Sequence, residues 1–250
     1  MTYEMGKVYL VGSGPGDPEL LSLKAYRLIQ EADVILVDRL VLGVKELIPL
    51  GKRVIDIGKT ASAHKYTQDA INDLLVDLSK QYEMIVRLKG GDPYIFGRGG
   101  EEATYLTEKG VEFEVVPGIT SAIAVPGLFS IPLTYRGVSS SVTMITGHEM
   151  EEKNEELDWQ ALAKLKGTLV ILMGVGTMDT NVEKLLRYGM PVETPVAIME
   201  KGFTEDARIV RGTLGTIAEV AAKAGVKPPA VTVIGDVVRI REKLILHPGK

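Results

Sequence analysis

The run Val86-Arg-Leu-Lys-Gly-Gly-Asp-Pro-Tyr-Ile-Phe-Gly-Arg-Gly-Gly-Glu-Glu102 limits what this chain can fold into more than any other stretch, because an apolar segment ends abruptly in it at paired glycines. Met84, Ile85, Val86 and Leu88 suit a buried strand, and Gly90 and Gly91 permit backbone angles and close approaches that a Cβ forbids. The pattern predicts a strand end that turns into a loop against which a ligand can lie. Asp92 supplies a carboxylate able to accept from a hydroxyl or amine, and Pro93 fixes the next turn. Gly97, Gly99 and Gly100 flank Arg98 before Glu101 and Glu102 open a helical pattern that runs through Ala103 and Leu106 to a stop at Gly110. A glycine-rich connection can also exist without any ligand. Position favours binding here, since loops at the carboxyl ends of strands are where α/β folds hold ligands.

The same alternation of apolar run, polar exit and helix recurs along the chain. Val8 to Val11 leads into Gly12-Ser-Gly-Pro-Gly-Asp17, with Asp17 as a helix N-cap, Pro18 at the first helical position, and Leu21, Ala25, Leu28 and Ala32 on one face. Val34 to Val37 exits into Asp38-Arg39, and Val54 to Ile57 exits into Gly58-Lys59-Thr60. Thr67 is expected to cap a helix whose stripe is Ala70, Ile71, Leu74, Leu75 and Leu78, and Phe113 to Val116 closes the first set. Pro117-Gly-Ile-Thr120 reads as a hinge, which puts an N-terminal α/β lobe at 1–117 and a C-terminal α/β lobe at 118–250. The second lobe is expected to hold strands at 142–146, 169–173, 196–200, 208–210 and 231–234, with helices near 158–166, 178–188 and 213–224. The acidic run from Glu149 to Glu156 reads as a solvated loop. The fold class is therefore α/β, two lobes with strand-end loops that can meet in an active-site cleft between them.

With 45% hydrophobic and 25% charged residues in 250, the chain is an ordinary globular one, not a disordered or fibrous one. Its formal net charge of -4 gives no general electrostatic reason to expect nucleic acid or an anionic membrane as partner. Without cysteine there is no disulfide, thiolate metal site or Cys nucleophile, and no apolar run approaches membrane-spanning length. A protein of the cytoplasm is expected. Three motifs fail on inspection. A dinucleotide fingerprint over Gly12-x-Gly14 requires glycine where Asp17 stands, a phosphate loop ending in Gly58-Lys59-Thr60 requires glycine where Arg53 stands, and His148-Glu149 lacks a second histidine at zinc spacing. No metal is expected.

Lys89-Gly-Gly-Asp-Pro-Tyr-Ile-Phe-Gly-Arg-Gly-Gly-Glu-Glu102 resembles the signature of the uroporphyrinogen-III C-methyltransferases. So, in the same order, do Val11-Gly-Ser-Gly-Pro-Gly-Asp-Pro-Glu-Leu20, Val37-Asp-Arg-Leu-Val41, Val116-Pro-Gly-Ile-Thr120 and Leu172-Met-Gly174, so the likeness covers nearly the whole chain. Related tetrapyrrole and diphthamide methyltransferases carry similar glycine-proline loops, and the 89–102 block separates this group from them. The resemblance implies a bilobal enzyme, often a homodimer, that uses S-adenosylmethionine to methylate two ring carbons of uroporphyrinogen III. The product, precorrin-2, feeds sirohaem and cobalamin synthesis. Carried over by position, the cofactor contacts are Pro15, Gly90, Gly91, Asp92, Ile95, Thr120, Ser121, Met173, Gly202 and Ala230. Ser121 stands where the family commonly has alanine, and Phe203 where a small polar residue is frequent, which would narrow an adenosine pocket.

Methyl transfer from a sulfonium is an in-line displacement, so holding donor and ring carbon together is most of the task, worth roughly 7–11 kcal/mol. The Met173 thioether suits a cationic sulfonium, or is simply core at a strand end. Because the substrate carries many carboxylates, Arg39, Lys59, Lys89, Arg98 and Arg136 are candidates to receive them, although each alone reads first as a solvated surface charge. The methylated ring must shed a proton, for which the family analogy points to Asp38 as base and Lys59 as its acid partner; a bland role for Asp38 is to pair with Arg39 or cap the next segment. Two other readings stay open: a methyltransferase of the same superfamily acting on a later corrin intermediate or a protein side chain, and a catalytically silent adenosylmethionine-binding regulator.

Overall fold

The computed structural model describes residues 5–58, 66–148 and 157–244. The chain divides into two compact units, Met1–Thr120 and Ser121–Lys250, slightly later than the expected hinge. Pro117 and Gly118 go with the first unit because the Gly118 N–H donates to Asp92 Oδ2 at 3.0 Å. Lys59 and the acidic run 149–156 lie outside the described residues.

In the first unit the elements are β1 (Lys7–Gly12), α1 (Leu23–Glu31), β2 (Val34–Val37), β3 (Arg53–Asp56), α2 (Gln68–Ser79), β4 (Met84–Lys89), α3 (Gly99–Glu108) and β5 (Phe113–Val116). The strands form one parallel sheet in the order β3-β2-β4-β1-β5. Parallel strands covered on both faces read as continuous apolar runs, as β2 does and as β4 does apart from Arg87 and Lys89. One face carries Val11, Ile35, Val37, Val86 and Leu88 against Ala25, Leu28 and Ile29 of α1. The other carries Val8, Leu10, Val34, Leu36 and Ile85 against Ile71 and Leu75 of α2 and Leu106 of α3. These placements follow from right-handed crossovers, because β1 runs back to β2 while β3 and β4 run forward. The connections leaving the parallel neighbours β2 and β4 thus run in opposite senses along the sheet, and the carboxyl ends of such a pair are where open α/β sheets hold ligands.

Local signals explain most boundaries. Thr67 caps α2 through Ala70 N–H to its Oγ1 at 3.2 Å, but the buried stripe takes in Asn72 and Val76 and leaves Ala70 exposed. The single helix expected after Asp17 is two pieces. Asp17 caps a short 3-10 turn, Pro18–Leu20, and Ser22 then caps α1 by accepting from Ala25 N–H at 3.1 Å. Pro18 sets the first turn, and the extended backbone of Leu21 and Ser22 breaks the path before α1 starts.

The second unit contains α4 (Ser121–Leu128), β6 (Val142–Thr146), α5 (Trp159–Lys164), β7 (Thr168–Leu172), α6 (Met178–Arg187), β8 (Pro195–Glu200), β9 (Arg208–Thr213), α7 (Ile217–Lys223), β10 (Ala230–Ile234) and α8 (Val237–Leu244). Its sheet, β6-β7-β10-β8-β9, is mixed: β6 and β7 are parallel and the other pairs antiparallel. Ile145, Ile171, Val196 and Ile198 pack with Trp159 of α5, Leu185 of α6 and Ile217 of α7, while Val170, Ala197, Met199 and Val233 pack with Ala122 and Val125 of α4 and Val237 of α8. No helix among the described residues is long and apolar enough to cross a membrane.

Leu75 is fully buried between α2 and the sheet, so Leu75→Ala is expected to destabilise the protein by about 2–5 kcal/mol through lost transfer energy and a residual cavity. Urea unfolding of wild type and variant measures it, and a loss below about 1 kcal/mol would show that the α2 layer collapses onto the gap.

Candidate functional site

The loop after β4 is built by backbone contacts that only glycine allows. Gly14 and Gly91 exchange N–H to carbonyl bonds at 3.2 and 2.8 Å, and Ser13 N–H donates to the Lys89 carbonyl at 2.8 Å, which ties the loop after β1 to the loop after β4. A Cβ on Gly118 would stand 2.3 Å from the Gly91 carbonyl oxygen, and a Cβ on Gly90 would stand 2.9 Å from Leu40 Cβ. The glycines were expected to leave room for a ligand. At Gly90 and Gly118 they instead leave room for neighbouring loops of the first unit, and Gly91, at φ 68°, holds a left-handed turn.

Asp92 has a similar structural task. Its Oδ1 accepts from Tyr94 N–H at 2.8 Å and its Oδ2 from Gly118 N–H at 3.0 Å, so the carboxylate fastens its own turn and the loop after β5. What the loop presents outward is Tyr94, Ile95 and Phe96, all exposed, with Phe96 and Arg98 in left-handed conformations at φ 52° and 58°. Arg98 is clasped by Glu101, its Nε donating to Oε1 at 3.0 Å. Strain of this kind costs of order 1–3 kcal/mol per residue and gathers where function requires a particular shape.

Beneath this loop lies a buried ionic cluster that sequence reading missed. Arg87 and Lys89 alternate along β4 toward the α2–α3 face, and both side chains are 2–3% exposed. Their counter-ion is Glu102 in the first turn of α3, fully buried, whose Oε1 accepts from Arg87 Nε at 3.1 Å, Lys89 Nζ at 3.0 Å and Gln68 Nε2 at 3.3 Å. The signal was present: two cations inside a strand otherwise apolar on both faces demand a buried anion nearby. Burial first, and then the Arg87 charge, push the Lys89 amine below its usual value against the pull of Glu102 and Asp38. Lys89 was expected at a loop edge to receive substrate carboxylates. Buried in this cluster, it cannot present its amine to them.

Asp38 follows β2 on the same face, 40% exposed, and accepts from Arg87 Nη2 at 3.1 Å through Oδ2 and from the Arg39 N–H at 2.8 Å through Oδ1. Burial alone would raise its carboxyl, but Arg87, the Arg39 N–H and Lys89 outweigh that and hold it below the ordinary carboxylate value. Arg39 is exposed beside it, Pro15 is half-buried and Thr120 is buried.

In the second unit, Met173 follows β7 at φ 54° with 54% of its surface exposed, so it is not a core residue. Lys201 and Phe203 follow β8 at φ 51° and 62°, and between them Gly202 packs so closely on α4 that a Cβ would meet Val125 Cγ2 at 2.7 Å. Phe203 lies against the core of this unit. Ser121 starts α4, Ala230 starts β10, and Arg136 is exposed in the turn closed by Tyr135 and Ser139. Among the described residues no group of His, Asp and Glu could hold a metal ion.

The family model of the tetrapyrrole (corrin/porphyrin) methylases matches residues 7–218. An S-adenosyl-L-methionine-dependent uroporphyrinogen III methyltransferase of Methanosarcina barkeri is 54% identical over 98% of this chain and 96% of its own length. A siroheme synthase of Pseudoalteromonas atlantica is 47% identical, and this chain spans about half of it, 52%. Among solved structures, uroporphyrin-III C-methyl transferase of Thermus thermophilus complexed with S-adenyl homocysteine is 42% identical at a TM-score of 0.81, covering 94% of this chain and 100% of that one.

The lowered carboxyl of Asp38 makes a pH prediction. A depressed folded pKa contributes stability that is present above the unfolded value, about 3.9, and is lost as pH falls through the folded value. Asp38→Asn is therefore expected to lower the melting temperature at pH 7 and to converge with wild type once pH has fallen through the lowered folded Asp38 value. Melting curves across pH 2–7 check it, and a constant offset at every pH would sink the linkage.

Proposed function

The chain belongs to the tetrapyrrole (corrin/porphyrin) methylases, and on that footing we propose that it transfers methyl groups from S-adenosylmethionine to two ring carbons of uroporphyrinogen III, giving precorrin-2 for sirohaem or cobalamin synthesis. The end-to-end likeness to the archaeal methyltransferase carries this reading, and the unbroken 89–102 loop supports it.

The residues of the first unit fit the cofactor's chemistry. A nucleoside with a charged tail offers apolar ring faces and hydrogen-bonding edges, and the loop after β4 offers exposed Ile95 and Tyr94 beside a turn set by Asp92 and Gly91. When bound, the cofactor supplies an electrophilic methyl on sulfonium. Ile95, Pro15, Thr120 and the 90–92 backbone are the proposed contacts in this unit, with Asp92 shaping the loop. Ser121, Met173, Gly202 and Ala230 are the contacts proposed in the second unit, where the exposed Met173 thioether is suited to a cationic sulfur. Arg39 and Arg136, both exposed, remain proposed partners for substrate carboxylates, as does Arg98, whose charge is partly offset by its pair with Glu101.

Asp38 is the proposed proton acceptor. Once the ring has gained a methyl group it carries positive charge and becomes much more acidic, so a carboxylate that stays ionised is a competent base even though it is a weak one. Lys59 is its proposed acid partner. We further propose a cytoplasmic homodimer; light scattering giving a monomer mass at all micromolar concentrations would sink the dimer.

Anaerobic incubation with uroporphyrinogen III and labelled S-adenosylmethionine tests the activity, with doubly labelled precorrin-2 expected. Asp38→Asn is expected to bind cofactor normally while single-turnover transfer falls about 10²–10⁴-fold. A rate within about threefold of wild type would make Asp38 replaceable by water.

A further inference from the structure

The proposed base depends on groups that touch neither substrate nor cofactor. Arg87 is 2% exposed and makes three directed bonds: Nε to Glu102 Oε1 at 3.1 Å, Nη1 to the Leu88 carbonyl at 3.3 Å and Nη2 to Asp38 Oδ2 at 3.1 Å. The first two fix the plane of the guanidinium. Once that plane is fixed, the direction in which Nη2 points is no longer free, and the Asp38 carboxylate is held at the end of β2 by a donor that cannot swing away. Glu102 is itself immobilised by Lys89 Nζ at 3.0 Å and Gln68 Nε2 at 3.3 Å, all on Oε1.

We propose that Arg87 and Glu102, backed by Lys89, are positioning residues for Asp38, holding its carboxylate as an oriented anion at the reacting ring. This rests on the reading of Asp38 given above. The charge balance of the reaction shows why such an anion matters. As the methyl group moves, the sulfur–carbon pair stays on sulfur, which becomes neutral, and a π pair of the ring forms the new carbon–carbon bond. The ring therefore gains one positive charge until its proton leaves. An anion already oriented at the ring stabilises that charge without reorganising, and then takes the proton. Among the described residues the charges that act most on Asp38 are those of Arg87 and Lys89 of β4, together with the Arg39 N–H of its own loop, and Glu102 of α3 lies behind them. The lowered Asp38 carboxyl agrees with this arrangement.

The test uses Arg87→Lys, which keeps the charge but loses the planar fork, Arg87→Met, which loses both, and the double variant Glu102→Gln with Lys89→Met, which removes a buried ion pair together. Three quantities are measured for each: affinity for S-adenosylhomocysteine by calorimetry, single-turnover methyl transfer to uroporphyrinogen III, and the NMR titration of the Asp38 carboxyl carbon in ligand-free protein. Affinity is expected to stay within about threefold of wild type while transfer falls about tenfold or more in Arg87→Met and in the double variant. The Asp38 titration should rise toward the ordinary carboxylate value in Arg87→Met and stay low in Arg87→Lys, which should also recover part of the transfer rate. Wild-type transfer together with an unmoved Asp38 titration in Arg87→Met overturns the proposal. If that variant does not fold, wild-type transfer in both Arg87→Lys and the double variant overturns it equally. Asp38→Asn separates the two levels: if it is impaired while the cluster variants are not, only the positioning role falls, and if it transfers at the wild-type rate, the base assignment falls and takes the positioning role with it.

Discussion

The ion pair between Lys89 and Glu102 holds the first unit's functional end in shape. These two residues bracket the glycine-rich loop in sequence, and they meet at 3.0 Å inside the protein. The loop is therefore closed at its base by a buried contact, and its ends cannot separate unless a charge is left without a partner. Breaking a buried pair from one side typically costs about 3–5 kcal/mol, far more than a surface pair is worth. Arg87 extends the same contact to β2, and Gln68 extends it to α2. One carboxylate oxygen thus joins two helices and a strand under the loop, with Asp38 held at its edge.

That anchoring makes the strain above it affordable. Phe96 and Arg98 sit in left-handed backbone, a conformation that side chains disfavour, and they are held there by the Asp92 turn and by Gly99 N–H donating to the Pro93 carbonyl at 2.9 Å. In the second unit Met173, Lys201 and Phe203 show the same strain, again just after strands. Among the described residues, only Ser130 has a positive φ outside such a loop without being glycine. Strain is concentrated in loops after strands in both units, above sheets whose faces are largely apolar apart from the ionic cluster of β4.

Much of this was legible in the sequence because it depends on local chemistry. The runs 34–37 and 84–88 became strands, Thr67 and Asp17 became caps, and Gly110 ended α3, since apolar continuity, a side-chain acceptor and positive φ each act within a few residues. What depends on distant partners was not legible. The alternation of helix and strand in the second unit does not disclose that β8, β9 and β10 pair antiparallel, since strand direction is set by how connections pass over the sheet. Gly90 advertises missing bulk, but only the fold shows that Leu40 fills the space. Lys89 looked like a free cation because Glu102 is remote in sequence until the loop closes on itself.

The hidden cations also resolve a conflict of charge. On the proposed reading, a sulfonium donor is helped by nearby anions, whereas a polycarboxylate substrate is drawn to cations, and an exposed Arg87 or Lys89 would attract those carboxylates to the place proposed for Asp38's proton transfer. Burial at 2–3% exposure lets both cations act on Asp38 through a directed bond or at short range while staying away from carboxylates in solution. Arg39 beside them is exposed, and it is the cation proposed to meet such carboxylates. Depth below the surface thus assigns opposite tasks to cations that sequence alone would place in one class, and it does so within a few residues of the same strand ends.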